Sequence, residues 1–198
     1  MRVVKLLTAC LMVLFASSAF AQNLKSGNLG FLKGQKTINI IYAYDNMKVG
    51  RGTEEEYIAK KVADYNKDKP GRGDEWKKNW TAAREMFYQP KFEELFNKRV
   101  EEKGLQAGKY PTATYTMIVR TTFTEPGYNI GISRMPSYTN IEVAFVKTGT
   151  QTEEAVVAIT KSPGAAAMGF DYDAGSRIAE SYAKAGKSLG AFLEKKAL

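Results

Sequence analysis

The chain has 198 residues, with 29 Lys and Arg against 21 Asp and Glu, no His and a single Cys at position 10. A chain without His excludes a Ser-His-Asp triad, a zinc site built from His and Cys, and c-type haem attachment. Its formal charge of +8 comes from bases interleaved with acids nearly everywhere, the pattern of a solvated surface rather than of a nucleic-acid-binding stripe.

Residues 1–21 read as a secretory signal peptide: Arg2 and Lys5 at the start, an apolar run from Leu6 to Phe15, and the small-residue signal Ala19-Phe20-Ala21 before Gln22. Leu7-Thr8-Ala9-Cys10 matches a lipidation pattern, but most of the apolar run follows Cys10, where a lipidated cysteine should come after it. The run is also short of the ~20 residues that span a bilayer. Cleavage after Ala21 leaves 177 residues with charge +6 and no Cys, so a thiol nucleophile and disulfides are both excluded from the mature chain. The expected location is the periplasm or the cell exterior, with no transmembrane segment in the mature chain.

Residues 22–36 are polar and Gly-rich and predict a flexible leader; residues 37–198 predict a single α+β domain. Thr37 to Met47 is rich in β-branched and aromatic residues and predicts the first strand. Gly50-Arg51-Gly52 breaks it, and Thr53 with Glu56 forms a capping-box pattern for a helix running to about Asn66. Lys69-Pro70-Gly71-Arg72-Gly73 interrupts, and Asp74 is expected to cap a second helix whose buried stripe is Trp76, Trp80, Ala83 and Phe87. Pro90 kinks or restarts it, and Phe92, Leu95, Phe96 and Val100 continue the period to Gly104.

Thr114 to Thr124, Ile141 to Lys147 and Ala155 to Thr160 predict three further strands, separated by turns such as Glu125-Pro126-Gly127. The closing helix carries an apolar stripe, Ile178, Tyr182, Ala185, Leu189 and Phe192, beside a small-residue stripe, Ala179, Ala183, Gly186 and Gly190, suited to close packing on a sheet. The order β-α-α-β-β-β-α predicts one mixed sheet of about four strands with helices on one face. The first two strands should be parallel and the last three an antiparallel meander. Loops 45–52, 125–137 and 161–173 would then leave one edge, which is where a site is expected.

That edge supplies the candidate binding residues Asp45, Arg51, Tyr128, Arg134, Tyr138, Asp171 and Asp173. Tyr and Arg are favoured at interfaces, and in these loops Lys48, Arg51, Arg134 and Lys161 balance Asp45, Glu125, Asp171 and Asp173, which suits a neutral or mixed partner. No residue is assigned a catalytic or metal-binding role and no cofactor is expected. Gly50-Arg51-Gly52 lacks the third glycine of a dinucleotide loop, and Glu54, Glu55 and Glu56 would repel a phosphate there. Arg72-Gly73-Asp74 reads as a helix start, Asn79-Trp80-Thr81 as a glycosylation pattern inside a helix, and Trp76, Trp80, Phe87 and Tyr88 as core rather than a sugar-stacking surface.

The C-terminal run Asp173-Ala174-Gly175-Ser176-Arg177-Ile178 through Gly186, with Leu189 to Lys195, the Thr124-Glu125-Pro126-Gly127 turn and the signal peptide, resembles uncharacterised secreted families of Bacteroides-like bacteria. The likeness extends distantly to the amino-terminal domain of TolB and to the curli-secretion lipoprotein family. It implies a periplasmic or outer-membrane-associated domain, although the lack of a lipidation cysteine departs from the lipoprotein members. The expectation is an exported, non-enzymatic, envelope-associated binding or structural domain whose partner is an envelope protein or glycan. The alternatives are a carboxylate-based glycan hydrolase or glycan-binding protein, which would use two of the edge acids, and a binder of anionic lipid or lipopolysaccharide.

Overall fold

Thr37–Ala43 (β2) buries Ile38 and Ile40 on one face and leaves Ile41 on the other 48% exposed, the alternation of a strand covered on one side only. The computed structural model that contains it describes residues 21–129, 132–150, 152–164 and 174–198, so the signal peptide expected over 1–21 lies outside the described residues except for Ala21. Ala21 opens β1, Ala21–Gly27, which pairs antiparallel with Glu153–Pro163 (β10). Residues 22–36 are therefore part of the fold rather than a flexible leader. Leu29 and Leu32 are buried just after β1, and the Phe31 ring lies 4.5 Å from that of Tyr115. Three apolar residues among the glycines suffice to hold the segment down.

The short strands Lys48–Val49 (β3) and Gly52–Thr53 (β4) follow β2 and lead into α1, Glu54–Asp68. The expected capping box is present: Glu56 N donates to Thr53 Oγ1 at 3.2 Å, and Thr53 N to Glu56 Oε2 at 2.9 Å. The second helix, α2, spans Arg72–Ala83 and begins earlier than the sequence suggests, with Asp74 inside its first turn rather than at the cap. Gly71, at φ +85°, occupies the cap position, and the Asn66 side chain accepts from Gly73 N at 2.8 Å in place of a local cap. The Arg72-Gly73-Asp74 tripeptide is thus helical, with Gly73 buried.

A π-helical turn, Arg84–Tyr88, joins α2 to α3, Gln89–Val100. Gln89 N donates to Arg84 O, five residues back, and Pro90 has no N–H for the next bond. The extra residue rotates the chain, so Tyr88 takes the inward place expected of Phe87. From there Phe92, Phe96 and Val100 continue the buried stripe at spacing four, while Phe87 turns outward. Asn97 of α3 then exchanges two hydrogen bonds with the backbone of Ala107, fixing the edge strand Gln106–Gly108 (β5).

The remaining strands are Tyr115–Glu125 (β6), Tyr128–Asn129 (β7), Arg134–Met135 (β8) and Tyr138–Lys147 (β9), and α4 is Ala174–Lys196. The fold is mixed α+β, but its main sheet has eight strands rather than about four. The order is β1-β10-β9-β6-β2-β5, with β3 against β6 and β4 against β3; β7 and β8 form a separate two-stranded hairpin. The four expected strands are its centre, with β2 parallel to β6 and β6, β9 and β10 antiparallel. The additional strands escape the sequence reading because they are short or polar and sit at the margins.

Met117, Val119, Ile141, Val143, Phe145, Val157 and Ile159 point from the sheet into one core with Phe92, Phe96, Ile178, Tyr182 and Leu189. On the opposite face Ile41, Ile118, Ala144 and Val156 stand in one row across four strands, flanked by the ion pairs Arg120–Glu153 and Lys25–Glu142. The small-residue stripe of α4 meets α3 instead of the sheet. A Cβ added to Gly186 would lie 2.1 Å from the Phe92 carbonyl oxygen, and one added to Gly190 would lie 2.6 Å from Arg99 Cβ. Arg99 also pairs with Glu194 at 2.9 Å. Gly186→Ala is therefore expected to lower the unfolding free energy by about 2 kcal/mol despite alanine's better helix propensity. Urea denaturation should show this, with the exposed Lys187→Ala changing stability by less than about 0.5 kcal/mol.

Candidate functional site

Of the described parts of the three edge loops, the first is held to the end of β6 and the third to the second. Gly50 N donates to Thr124 O at 3.0 Å, and Gly164 N to Ser137 O at 2.8 Å. The first turn of α4 holds the second of them through Arg177, a residue only 3% exposed. Its Nε donates to Pro126 O at 3.2 Å and its Nη2 to Gly127 O at 3.3 Å. A cation in the first turn of a helix opposes the helix dipole, so these carbonyls supply part of the compensation.

Gly127 is required at that corner. Its φ is +67°, and a Cβ there would fall 2.6 Å from Met135 O and 2.7 Å from Ser137 N. Glu125 Oε1 accepts from Gly127 N at 3.1 Å, which gives this acid a role in the turn. Above the corner stands the β7–β8 hairpin, with Tyr128 opposite Met135 and Asn129 opposite Arg134. Tyr128 Oη and Ser133 Oγ are 3.3 Å apart. Ile132 is 97% exposed, Arg134 is exposed, and Tyr128 and Met135 are also open to solvent.

The other sequence-expected residues occupy different settings. Tyr138 is half-buried at the foot of the hairpin, its ring stacked on Phe123 at 5.3 Å. Asp45 and Arg51 are exposed in the turns before and after β3. Asp171 and Asp173 lie outside the described residues, so the structure brings together Tyr128, Arg134 and Tyr138 on one hairpin and its base, with Asp45 and Arg51 on the adjoining turns.

On its other side, the α4 first turn borders a cleft that the sequence reading missed. Trp76, Asn79, Ala83, Met86, Phe87 and Gly175 line a volume of about 530 Å³. A second hollow of about 310 Å³ continues past Met86 and Phe87 to Pro90, Ala179 and Glu180. Met86 is 64% exposed and Phe87 49%, because the π-turn has rotated both out of the core. The adjacent apolar pair just before Pro90 is the sequence signal for this, since a regular helix would not turn both residues and Tyr88 to one face.

Beneath the cleft is a fixed polar network. Glu54, at the start of α1, accepts from Trp80 Nε1 at 2.6 Å and from the Arg84 guanidinium, which also lies 4.2 Å from the centre of the Tyr44 ring. Tyr88 stacks on Tyr182 at 5.1 Å, and Tyr182 Oη is hydrogen-bonded with Thr121 Oγ1. Burial raises the pKa of Tyr44, pushes Tyr57 up to about 12 and carries Tyr182 well above the ordinary phenol range. These phenols stay neutral at physiological pH and act as hydrogen-bonding and packing groups. Among the described residues, no group of three His, Cys, Asp or Glu side chains is placed to hold a metal ion.

No family model matches the chain, and no curated protein matches it. Among solved structures, it is similar to the PelC dodecamer from Paraburkholderia phytofirmans at 10% identity and a TM-score of 0.37, covering 90% of this chain and 99% of that one. A point variant of that dodecamer matches at 12% identity and a TM-score of 0.35, covering 84% and 96%. Likeness at this level carries neither activity nor assembly over to this chain.

Arg177→Met keeps the buried volume but removes the donors to Pro126 and Gly127. It is expected to cost about 2 kcal/mol of stability and to speed amide hydrogen exchange in Tyr128, Asn129, Arg134 and Met135. Exchange mass spectrometry of the two proteins measures both the local and the global effect.

Proposed function

We propose that this chain is an exported, envelope-associated binding domain that works through the end of the molecule organised by the first turn of α4. The observation that carries this reading is the distribution of exposed apolar side chains. Met86 and Phe87 lie on the cleft side of that turn and Tyr128, Ile132 and Met135 on the hairpin side, whereas only Leu24 and Ile41 among the large apolar side chains exposed in the described residues stand on the sheet. Soluble domains scatter exposed apolar residues singly, and a concentration at one end marks a surface that is covered in use.

The neutral, buried phenols and the packed Glu54–Arg84 pair fit a support for such a surface better than a reacting centre. A binding role needs no His or thiol, which matches the composition of the expected mature chain. The clamped base of the hairpin adds preorganisation, so little ordering is required on contact. The resemblance to secreted envelope families supports the same compartment.

Capture from detergent-solubilised envelope extract on immobilised protein tests the reading. Tyr128→Ser, Arg134→Glu and Phe87→Ser should each keep the fold, and capture by at least one of them should fall by about tenfold. Capture that survives all three changes but is lost with Ile41→Ser would move the binding surface to the sheet.

A further inference from the structure

Beyond that reading, we propose that the groove between α3 and α4 holds a binding site for the phosphate monoester of a saccharide. Arg99, Lys184 and Lys187 surround the phosphate, and the Ser188 hydroxyl donates to it. The site is lined by none of the residues that line the cleft or form the hairpin.

The packing of the two helices builds the place. Lys184, Lys187, Ser188 and Ala191 recur at i, i+3, i+4 and i+7, on one face of α4. Arg99 joins them from α3 because Gly190 lets the helices close, a Cβ there lying 2.6 Å from Arg99 Cβ. The long basic side chains wall a hollow of about 380 Å³, and the small Ser188 and Ala191 leave its depth open. Ligand sites begin at about 300 Å³, so a phosphate and the sugar that carries it both have room.

Every polar side chain lining this hollow is a donor, with no Asp, Glu, Asn or Gln among them, and such a set selects an anion. Ser188 is the residue that points to a ligand. It is only 9% exposed, and its hydroxyl has no hydrogen-bond partner among the described residues. A hydroxyl withdrawn from water costs stability unless something bonds to it. Lys187 has no acidic partner within ion-pair distance among the described residues, whereas Lys184 pairs with Glu180 at 3.3 Å and Arg99 with Glu194 at 2.9 Å. Those two pairs are part-exposed and exchange at little cost. Three cations against two carboxylates leave an excess of positive charge for a phosphate to take up.

The spread of donors favours phosphate over carboxylate. A planar carboxylate is satisfied by one guanidinium fork, but here the donors come from both helices and from successive turns of α4, which suits the terminal oxygens of a tetrahedral group. Once the phosphate engages Arg99 and Lys184, the carboxylates of Glu194 and Glu180 beside them are released to accept from hydroxyl groups. A sugar supplies those hydroxyls, and its carbon skeleton can rest on Ala191 and the lysine stems. None of the exposed large apolar side chains lines the hollow, so nothing here follows a lipid headgroup into the acyl layer.

The test is an NMR titration of the isotope-labelled exported protein with glucose-6-phosphate at low ionic strength. Saturable shifts are expected at the amides of Lys187, Ser188 and Ala191 and at Arg99 Nε. Inorganic phosphate should move the same signals with weaker affinity, and glucose should move none. Lys187→Ala should weaken binding about tenfold and Ser188→Ala about threefold, neither with a loss of melting temperature. Lys33→Ala, which removes an exposed cation outside the hollow, should bind as the wild type does. Shifts that never saturate, Lys187→Ala that binds as the wild type does, or glucuronate held as tightly as glucose-6-phosphate overturns the site. Retention on phosphatidate vesicles without any response to glucose-6-phosphate overturns it too, by giving the hollow to a lipid headgroup. Neither failure touches the proposed binding end, whose variants leave every residue lining this hollow in place.

Discussion

Gly186 of α4 lies so close to α3 that a methyl group there would overlap the carbonyl oxygen of Phe92, and one at Gly190, a turn later, would crowd the Arg99 side chain at its Cβ. Helices that approach this closely have little freedom to slide or rotate, because at Gly186 the neighbour is backbone, which cannot move aside as the end of a flexible side chain can. The position of α4 against α3 therefore fixes where its first turn falls, and that turn places Arg177 under the hairpin and Gly175 beside the cleft. The candidate surface is a consequence of how two helices pack some distance from it.

The π-turn is the second half of the arrangement. With a regular helix through Pro90, the buried stripe would run from Ala83 to Phe87 and the cleft would lose its exposed aromatic residue. The extra residue keeps Tyr88 stacked on Tyr182 in the core and turns Met86 and Phe87 outward together. An exposed apolar pair is thus tied to an internal contact and persists for structural reasons. Beneath it, Glu54 connects the start of α1 to Trp80 and Arg84, so three helical segments and the loop after β2 are held to one another under the cleft.

Much of the central fold is legible in the sequence because it follows simple periods. The alternation in Thr37–Ala43 and Tyr115–Glu125, the capping box at Thr53 and Glu56, and the left-handed glycine at Gly104 are each local signals with a local cause. β1 is not legible, since AQNLKSG is polar and becomes a strand only because β10 offers a free edge. The small stripe of α4 reads correctly as a close-packing face, but nothing local says whether helix or sheet will fill it. On the candidate surface, the exposed place of Tyr128 and Arg134 follows from loop position and residue type. The cleft does not, because it depends on a single inserted residue at the π-turn, and Arg177 is visible only as a cation at the unfavourable end of a helix dipole.

The central claim is that the working surface lies at the α4 N-terminal end and not on the outer sheet face around the exposed Ile41, whose row continues through Ile118, Ala144 and Val156. A photo-crosslinking phenylalanine analogue, introduced in living cells at position 132, 87 or 41 in turn, compares these surfaces directly. The account predicts adducts at 132 or 87 and none above background at 41. Strong adducts at 41 with none at 132 and 87 would contradict it.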